Sequence, residues 1–141
     1  MRKMIFVNLP VADLDRSVAF HEAMGAVKDP MFSNETAAKL TYSDEIHLML
    51  LTHARFADFT DKDRVDAKHQ AQVLICFSAE SRGEVDELAE RAGARGGRKD
   101  PGPVQDYGFM YGRSYEDPDG HIFELVWMDM EAATAAMGAA G

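Results

Sequence analysis

Cysteine is almost missing from this chain. Cys76 stands alone among 141 residues, which excludes an internal disulfide and suits a reducing compartment. It sits inside an apolar strand candidate, where a small buried hydrophobe is its ordinary role. Positive charge is also scarce: 15 Lys and Arg stand against 24 Asp and Glu, for a formal net charge of −9. Its basic runs are short, such as Arg95 to Lys99, so the long-range field repels nucleic acid and anionic membrane and neither is expected as a partner. No apolar run approaches the about 20 residues of a membrane helix. The start, MRKMIFVNLPV, does not read as a secretory signal, because Asn8 and Pro10 interrupt its apolar stretch. A soluble cytoplasmic protein is the expectation.

What the chain does have is a repeat. Residues 4–26, MIFVNLPVADLDRSVAFHEAMGA, and residues 72–94, QVLICFSAESRGEVDELAERAGA, follow one pattern at a constant offset of 68. Phe6 falls on Leu74, Phe20 on Leu88, Glu22 on Glu90 and Gly25 on Gly93. Each copy runs from a short apolar strand, 4–7 or 73–77, into a helix. Asp13 can cap the first helix through its carboxylate, and Ser81 with Glu84 forms a capping box for the second. Leu14, Val18, His21 and Met24 share one helical face, as do Val85, Leu88 and Ala92. Gly25 and Gly93 suit the left-handed residue that ends a helix. A repeat of about seventy residues buries too little apolar surface to outweigh its chain entropy. With 46% hydrophobic residues available for a core, the repeats are expected to share one domain, 1–141.

The rest of each repeat reads as strands. In the first, strand candidates at 37–42 and Ile46–Thr52 flank the turn Asp44-Glu45, and the apolar run of the latter suits a buried strand. A polar connection, 53–71, joins the repeats, with a helical turn at 54–59. Phe56 and Phe59 in that connection need cover, either beneath a ligand or against a partner subunit. The second repeat carries a Gly-, Pro- and charge-rich insertion, 95–107, then a strand candidate at 108–116. Asp117-Pro118-Asp119-Gly120 suits a type I turn before a last strand, Ile122–Met128. Asp44 matches Asp119 at an offset of 75, which leaves seven extra residues between the second helix and its hairpin. An Ala/Gly-rich tail, 130–141, ends in a short helix over 132–141.

Asn8-Leu9-Pro10-Val11 with Asp13-Leu14 at the first helix start, and Asp117-Pro118-Asp119-Gly120-His121 followed by Glu124-Leu125, resemble the vicinal oxygen chelate superfamily. That group includes glyoxalase I, extradiol dioxygenases, fosfomycin-resistance thiol transferases, methylmalonyl-CoA epimerase and the bleomycin-resistance proteins. The likeness spans residues 4–129. It implies an α+β fold of two tandem βαβββ modules, 4–52 and 72–129, forming a curved half-open sheet around a ligand cavity, and it implies a homodimer. It also implies a divalent metal, Zn, Ni, Mn or Fe, acting as a Lewis acid on adjacent substrate oxygens. The ligands would be His, Glu or Gln at four repeat-related places. Carried across, those places are Phe6 and Leu74 on the first strands and Met49 and Glu124 on the last. Three are apolar and one carboxylate does not hold a hard cation tightly, so no cofactor is expected. A shift of two places keeps the same strand face and recruits Asn8, His47, Gln72 and Cys76. Asn8, His47, Gln72 and Glu124 form the alternative metal set.

Glu124 interrupts an apolar strand, where a charge is costly unless paired or liganded. It is either a ligand contact or general base, or a structural carboxylate paired with Arg113. Phe109, Tyr111, Arg113 and Tyr115 alternate along one strand and line one face together. An aromatic wall with a guanidinium suits a planar or anionic small molecule; core packing is the other reading. His21, on the helix stripe, reads as a packing residue, and His121 as a solvated hairpin residue. Asn8 needs partners for its amide, and Met49, Met110 and Met128 suit either a pocket lining or core filling.

The leading expectation is a metal-free protein that binds a small organic molecule, in the manner of bleomycin-resistance proteins. Its pocket residues would be Phe6, Asn8, Met49, Leu74, Cys76, Phe109, Tyr111, Arg113 and Tyr115. The alternative is a metal-dependent glyoxalase-type lyase or isomerase, or a dioxygenase, using Glu124 as ligand or base. An inert binding or regulatory module is the third reading. The loops 27–33, 53–70 and 95–107 shape the pocket, so the residues do not name its occupant.

Overall fold

The first repeat wraps a helix-containing crossover between two strands that lie side by side. β1 (Ile5–Val11) leads into α1 (Leu14–Ala23), and β2 (Val27–Asp29), β3 (Ala37–Thr41) and β4 (Ile46–Thr52) follow. The computed structural model describes residues 2–140. β1 pairs parallel with β4, and β3 and β2 join antiparallel, for the order β1-β4-β3-β2. Parallel pairing requires a connection of this length, because no tight turn can return the chain in the same direction. A one-turn helix, α2 (His53–Ala57), closes the repeat.

The second repeat rebuilds the arrangement. β5 (Ile75–Ser78) enters α3 (Arg82–Ala94), and β6 (Arg98–Lys99), β7 (Gln105–Asp106), β8 (Met110–Glu116) and β9 (Ile122–Met128) follow. β5 pairs parallel with β9, and the order is β5-β9-β8-β6 with β7 also on β8. The chain is therefore α+β, two tandem βαβββ modules with one added strand, and it divides into two compact units between Gln70 and Ala71. A final helix, α4 (Met130–Ala140), follows β9. Residue 141, included in the tail helix expected from sequence, lies outside the described residues.

Local signals explain the element ends. The Asp13 carboxylate accepts from the Arg16 N–H at 3.1 Å and the Ser81 hydroxyl from the Glu84 N–H at 3.0 Å, each satisfying a donor that a helix start leaves unpaired. Gly25 takes φ +111 as the Ala26 N–H reaches back to the His21 carbonyl at 2.9 Å, the αL ending expected. Gly93 does not play that part. α3 runs past it, and Gly96 at φ +98 ends the helix, with Gly97 N–H on the Ala92 carbonyl at 2.9 Å.

Two strand limits also move. β1 extends through Pro10 to Val11, which an edge strand tolerates because part of its N–H row faces no neighbour. β5 starts only at Ile75, leaving Val73 and Leu74 exposed ahead of it. Phe59, expected to need cover, is 63% exposed and carries the Arg55 guanidinium 4.6 Å from its ring centre.

The turn at Asp117-Pro118-Asp119-Gly120 is buried and tied through one carboxylate. Asp117 Oδ1 accepts from the N–H groups of Asp119 and His121, at 3.0 and 2.9 Å, while the Gly120 N–H donates to the Asp117 carbonyl at 3.0 Å. Gly120 sits at φ +94. This polar knot sets the β8–β9 hairpin and hence the height of Glu124 on its strand.

The buried apolar side chains form one set in each unit. Val18 and Phe20 of α1 meet a sheet face of Leu9, Leu40, Leu48 and Leu50. His21 is fully buried there, its Nδ1 2.7 Å from the Tyr42 hydroxyl, so it is the packing residue expected. Val85, Ala89 and Ala92 of α3 meet Tyr115, Phe123 and Leu125. Among the described residues no helix is long and apolar enough to cross a membrane.

Candidate functional site

A strand has two faces, and in each module the helix covers one of them. The other, open face is where unused chemistry collects. In the first module register places Asn8 beside Met49, Met49 beside Lys39 and Lys39 beside Asp29, a row across all four strands. The adjacent row is Phe6, His47, Thr41 and Val27. In the second module Cys76 lies beside Glu124 and Glu124 beside Ser114. The offsets of 68 and 75 carry Asn8, Met49 and Lys39 onto Cys76, Glu124 and Ser114, so the duplication read in the sequence is also a duplication of register.

The first open face is aromatic and cationic. The Phe6 ring stacks on the His47 imidazole, with centroids 4.8 Å apart and planes 17° from parallel. His47 Nε2 lies 3.2 Å from the Asp44 carbonyl and Nδ1 2.9 Å from the Thr41 hydroxyl. With its proton on Nε2 the ring donates to the carbonyl, which can only accept, and accepts from the hydroxyl. Lys39 Nζ stands 4.8 Å from the Phe32 ring centre and 5.6 Å from that of Phe6. Its carboxylate neighbour, Asp29 Oδ2, is 3.4 Å away.

The second open face is acidic and carries a thiol. Glu124 is half-buried, and its carboxylate makes no hydrogen bond or ion pair with another described residue. Partial burial, and secondarily the Glu124 charge, hold the Cys76 thiol above its ordinary pKa, so Cys76 is not an activated thiolate. Ser114 is buried, its hydroxyl accepting from the Gly102 N–H at 3.2 Å.

Tyr111, Arg113 and Tyr115 do share a face, but it is the one against α3. Arg113 donates through Nε and Nη2 to both oxygens of Asp100, at 3.0 and 2.7 Å, and also reaches Asp86 at 3.1 Å and Glu90 at 2.9 Å. Three carboxylates around one guanidinium explain a strand arginine without any ligand, and Glu124, on the opposite face, is not among them. Arg113 holds Asp100 below the usual carboxylate range. The Tyr111 hydroxyl chiefly, and Arg113 next, does the same for Asp86; Lys99 and then Arg113 do so for Glu90. Tyr115 is stacked on Phe123 in the core, 5.4 Å between centroids, and burial pushes its hydroxyl pKa well up. Phe109 precedes β8 and stacks on Tyr107, 6.5 Å between centroids.

Donor chemistry at the four implied metal places does not fit a divalent cation. Phe6 and Leu74 offer no donor and Met49 only a soft thioether. Of the alternative set, His47 has both ring nitrogens engaged, and Gln72 precedes β5 on exposed chain. Among the described residues no three His, Cys, Asp or Glu side chains gather as a metal site.

Sequence reasoning passed over Lys39, Phe32, Thr41 and Asp29. A signal for Lys39 was available, since it interrupts an apolar strand as Glu124 does. Phe32 reaches it through the turn 30–33, which Asp29 and Ser33 tie to Lys39, a pattern that strand alternation does not reveal.

A family model described as the Glyoxalase/Bleomycin resistance protein/Dioxygenase superfamily matches residues 3–125. No curated protein sequence matches the chain. Among solved structures, a glyoxalase/bleomycin resistance protein/dioxygenase family enzyme from Burkholderia phytofirmans superposes with a TM-score of 0.72 at 18% identity, covering 90% of this chain and 99% of that one. A glyoxalase-related enzyme from Fulvimarina pelagi gives 0.73 at 21%, covering 90% and 88%. The fosfomycin resistance protein FosX from Mesorhizobium loti gives 0.67 at 16%, covering 95% and 98%. At these identities the superpositions speak for the fold.

Proposed function

This chain belongs to the glyoxalase/bleomycin resistance protein/dioxygenase superfamily, and from that premise we propose that it binds a small organic molecule on its open sheet faces without the usual divalent metal. The observation that carries the reading is the exchange of donors at repeat-related places: Phe6, Met49 and Leu74 stand where a metal site needs oxygen or nitrogen. In their place are features that suit an organic ligand, namely exposed ring surface at Phe6 and Phe32 and single charges at Lys39 and Glu124. Elemental analysis of the purified protein is expected to find no stoichiometric Zn, Ni, Mn or Fe. One ion per chain, with a lower Tm once it is stripped, overturns the metal-free reading. The compounds named for its relatives, fosfomycin and bleomycin, head the ligand panel to be titrated.

A second reading, a metal-dependent lyase or isomerase of the glyoxalase type, is favoured by Glu124, a carboxylate on an open face with no ion-pair partner among the described residues. Hemithioacetal isomerisation measured with added divalent metals tests it, and full activity in Glu124→Ala removes that role. We also propose a homodimer, supported by the exposed apolar residues Met4 and Ile5 at β1 and Val73 and Leu74 ahead of β5, both edge strands. A monomer by light scattering at micromolar concentration contradicts it.

A further inference from the structure

We propose that Lys39, Phe6 and Phe32 on the open face of the first module form a subsite for a planar aromatic carboxylate, a deepening that rests on the small-molecule reading above. Lysine is rarely withdrawn from water without a close partner, yet the Lys39 side chain is only 17% exposed and its carboxylate neighbour lies at 3.4 Å. A charge-assisted hydrogen bond closes to about 2.7–2.9 Å, so no short acceptor holds any of the three ammonium donors among the described residues. Two ring faces flank that ammonium instead, and both rings stand in water, Phe6 43% and Phe32 56% exposed. A cation between exposed rings is matched by a flat apolar body carrying one negative charge.

The subsite is held in place before any ligand arrives. Asp29 Oδ1 accepts from the Met31 N–H at 3.0 Å, and the Ser33 hydroxyl donates to the Asp29 carbonyl at 2.6 Å while accepting from the Lys39 N–H at 3.1 Å. The turn carrying Phe32 is thereby tied to the strand residue whose ammonium it covers. His47, fixed through both nitrogens, backs the Phe6 ring. Such preorganisation lowers the ordering cost of binding.

The charge count admits no more than a monoanion. One ammonium with an aspartate beside it cannot neutralise a phosphate dianion, which calls for several donors or a guanidinium fork. The net charge of −9 also repels polyanions.

The test is a titration of 2-naphthoate into the full ¹⁵N-labelled chain, read at the amides of Phe6, Phe32 and Lys39, with 2-naphthamide and cyclohexanecarboxylate as neutral and non-planar comparators. Saturable shifts at those amides are expected, with both comparators weaker by about tenfold, as loss of a partly desolvated cation or stacking contact implies. Lys39→Met should weaken naphthoate by about tenfold and Lys39→Arg by much less. Asp29→Asn keeps an oxygen for the Met31 N–H and removes the competing charge, so it should tighten naphthoate by about threefold. A purely structural Lys39 would show no such gain. Equal binding of naphthamide, unchanged affinity in Lys39→Met, or shifts confined to other residues overturns the proposal. Naphthamide bound at the open face with naphthoate excluded overturns it and leaves the small-molecule reading standing. If neither these compounds nor a broad fragment set perturbs either module's open face, both fall.

Discussion

The two modules share one topology and one register, yet equivalent positions on their open faces differ, a lysine paired with an aspartate in the first and a glutamate in the second. Asn8, Met49 and Lys39 in the first correspond to Cys76, Glu124 and Ser114 in the second. Their helix-covered faces differ as well. α1 meets an apolar face in which the buried His21 hydrogen-bonds Tyr42, whereas α3 is joined to its sheet by the Arg113 carboxylate cluster. The difference teaches which parts of the fold are constrained. Strand order, helix caps and the apolar residues under each helix recur because the module cannot close without them. The open faces differ because neither α1 nor α3 packs on them, so their side chains bond within the sheet and to adjoining turns.

Core truncation should produce the largest effect and should strike both modules alike. Phe20→Ala and Phe123→Ala each empty a fully buried site and are expected to cost about 3–5 kcal/mol. Urea unfolding with probes in each module gives the comparison, and a cost below about 1 kcal/mol for either shows that its helix–sheet core is not the close-packed one described. Arg113→Met comes next and is specific to the second module. It takes both donors from Asp100 and one each from Asp86, which keeps the Tyr111 hydroxyl, and Glu90, which keeps Lys99, for a loss of about 1–2 kcal/mol, discounted because the carboxylates are partly solvated. Wild-type stability in that variant removes the cluster from the account of what joins α3 to β8.

The same cluster makes the second module the acid-labile one. Asp86, Glu90 and Asp100 are all held below their ordinary pKa values in the folded chain. Their contribution is therefore complete above the unfolded carboxylate pKa, about 4, and is lost as pH falls through the depressed folded values. Amide exchange from pH 6 downward should show protection in α3 and β8 weakening below about pH 4 while α1 and β3 keep theirs. Simultaneous loss in both modules contradicts the asymmetry. The smallest effect belongs to the first module: Tyr42→Phe removes the 2.7 Å partner of the buried His21 Nδ1 and should cost about 1 kcal/mol by thermal unfolding. No change in Tm beyond error would mean that His21 is satisfied equally well without that hydroxyl.

Much of the scaffold was legible from the chain. The offset of 68 located both strand–helix units, and Asp13 and Ser81 cap where their spacing says they should. The offset of 75 aligned Met49 with Glu124, and the paired strands reproduce that alignment. Helix ends were less legible: Gly93 and Gly96 are both plausible stops, and only the backbone shows which adopts positive φ. The candidate site was legible in part. Phe6, Asn8, Met49, Cys76 and Glu124 do lie on open faces. Tyr111, Arg113 and Tyr115 belong under α3, and Phe32 meets Lys39 only through the folded turn.

The sequence alone determined the order of elements, their caps and turns and the apolar alternation, because each depends on residues a few places apart. It also determined that Tyr111, Arg113 and Tyr115 share a face, since side chains two apart point the same way. Which face the helix would cover was decided only in the tertiary structure. Alternation has two phases of equal local energy, and the choice between them comes from burying the more apolar set against a helix many residues away. That choice placed Arg113 among the carboxylates of the α3 side and left Glu124 and Lys39 on the open sides.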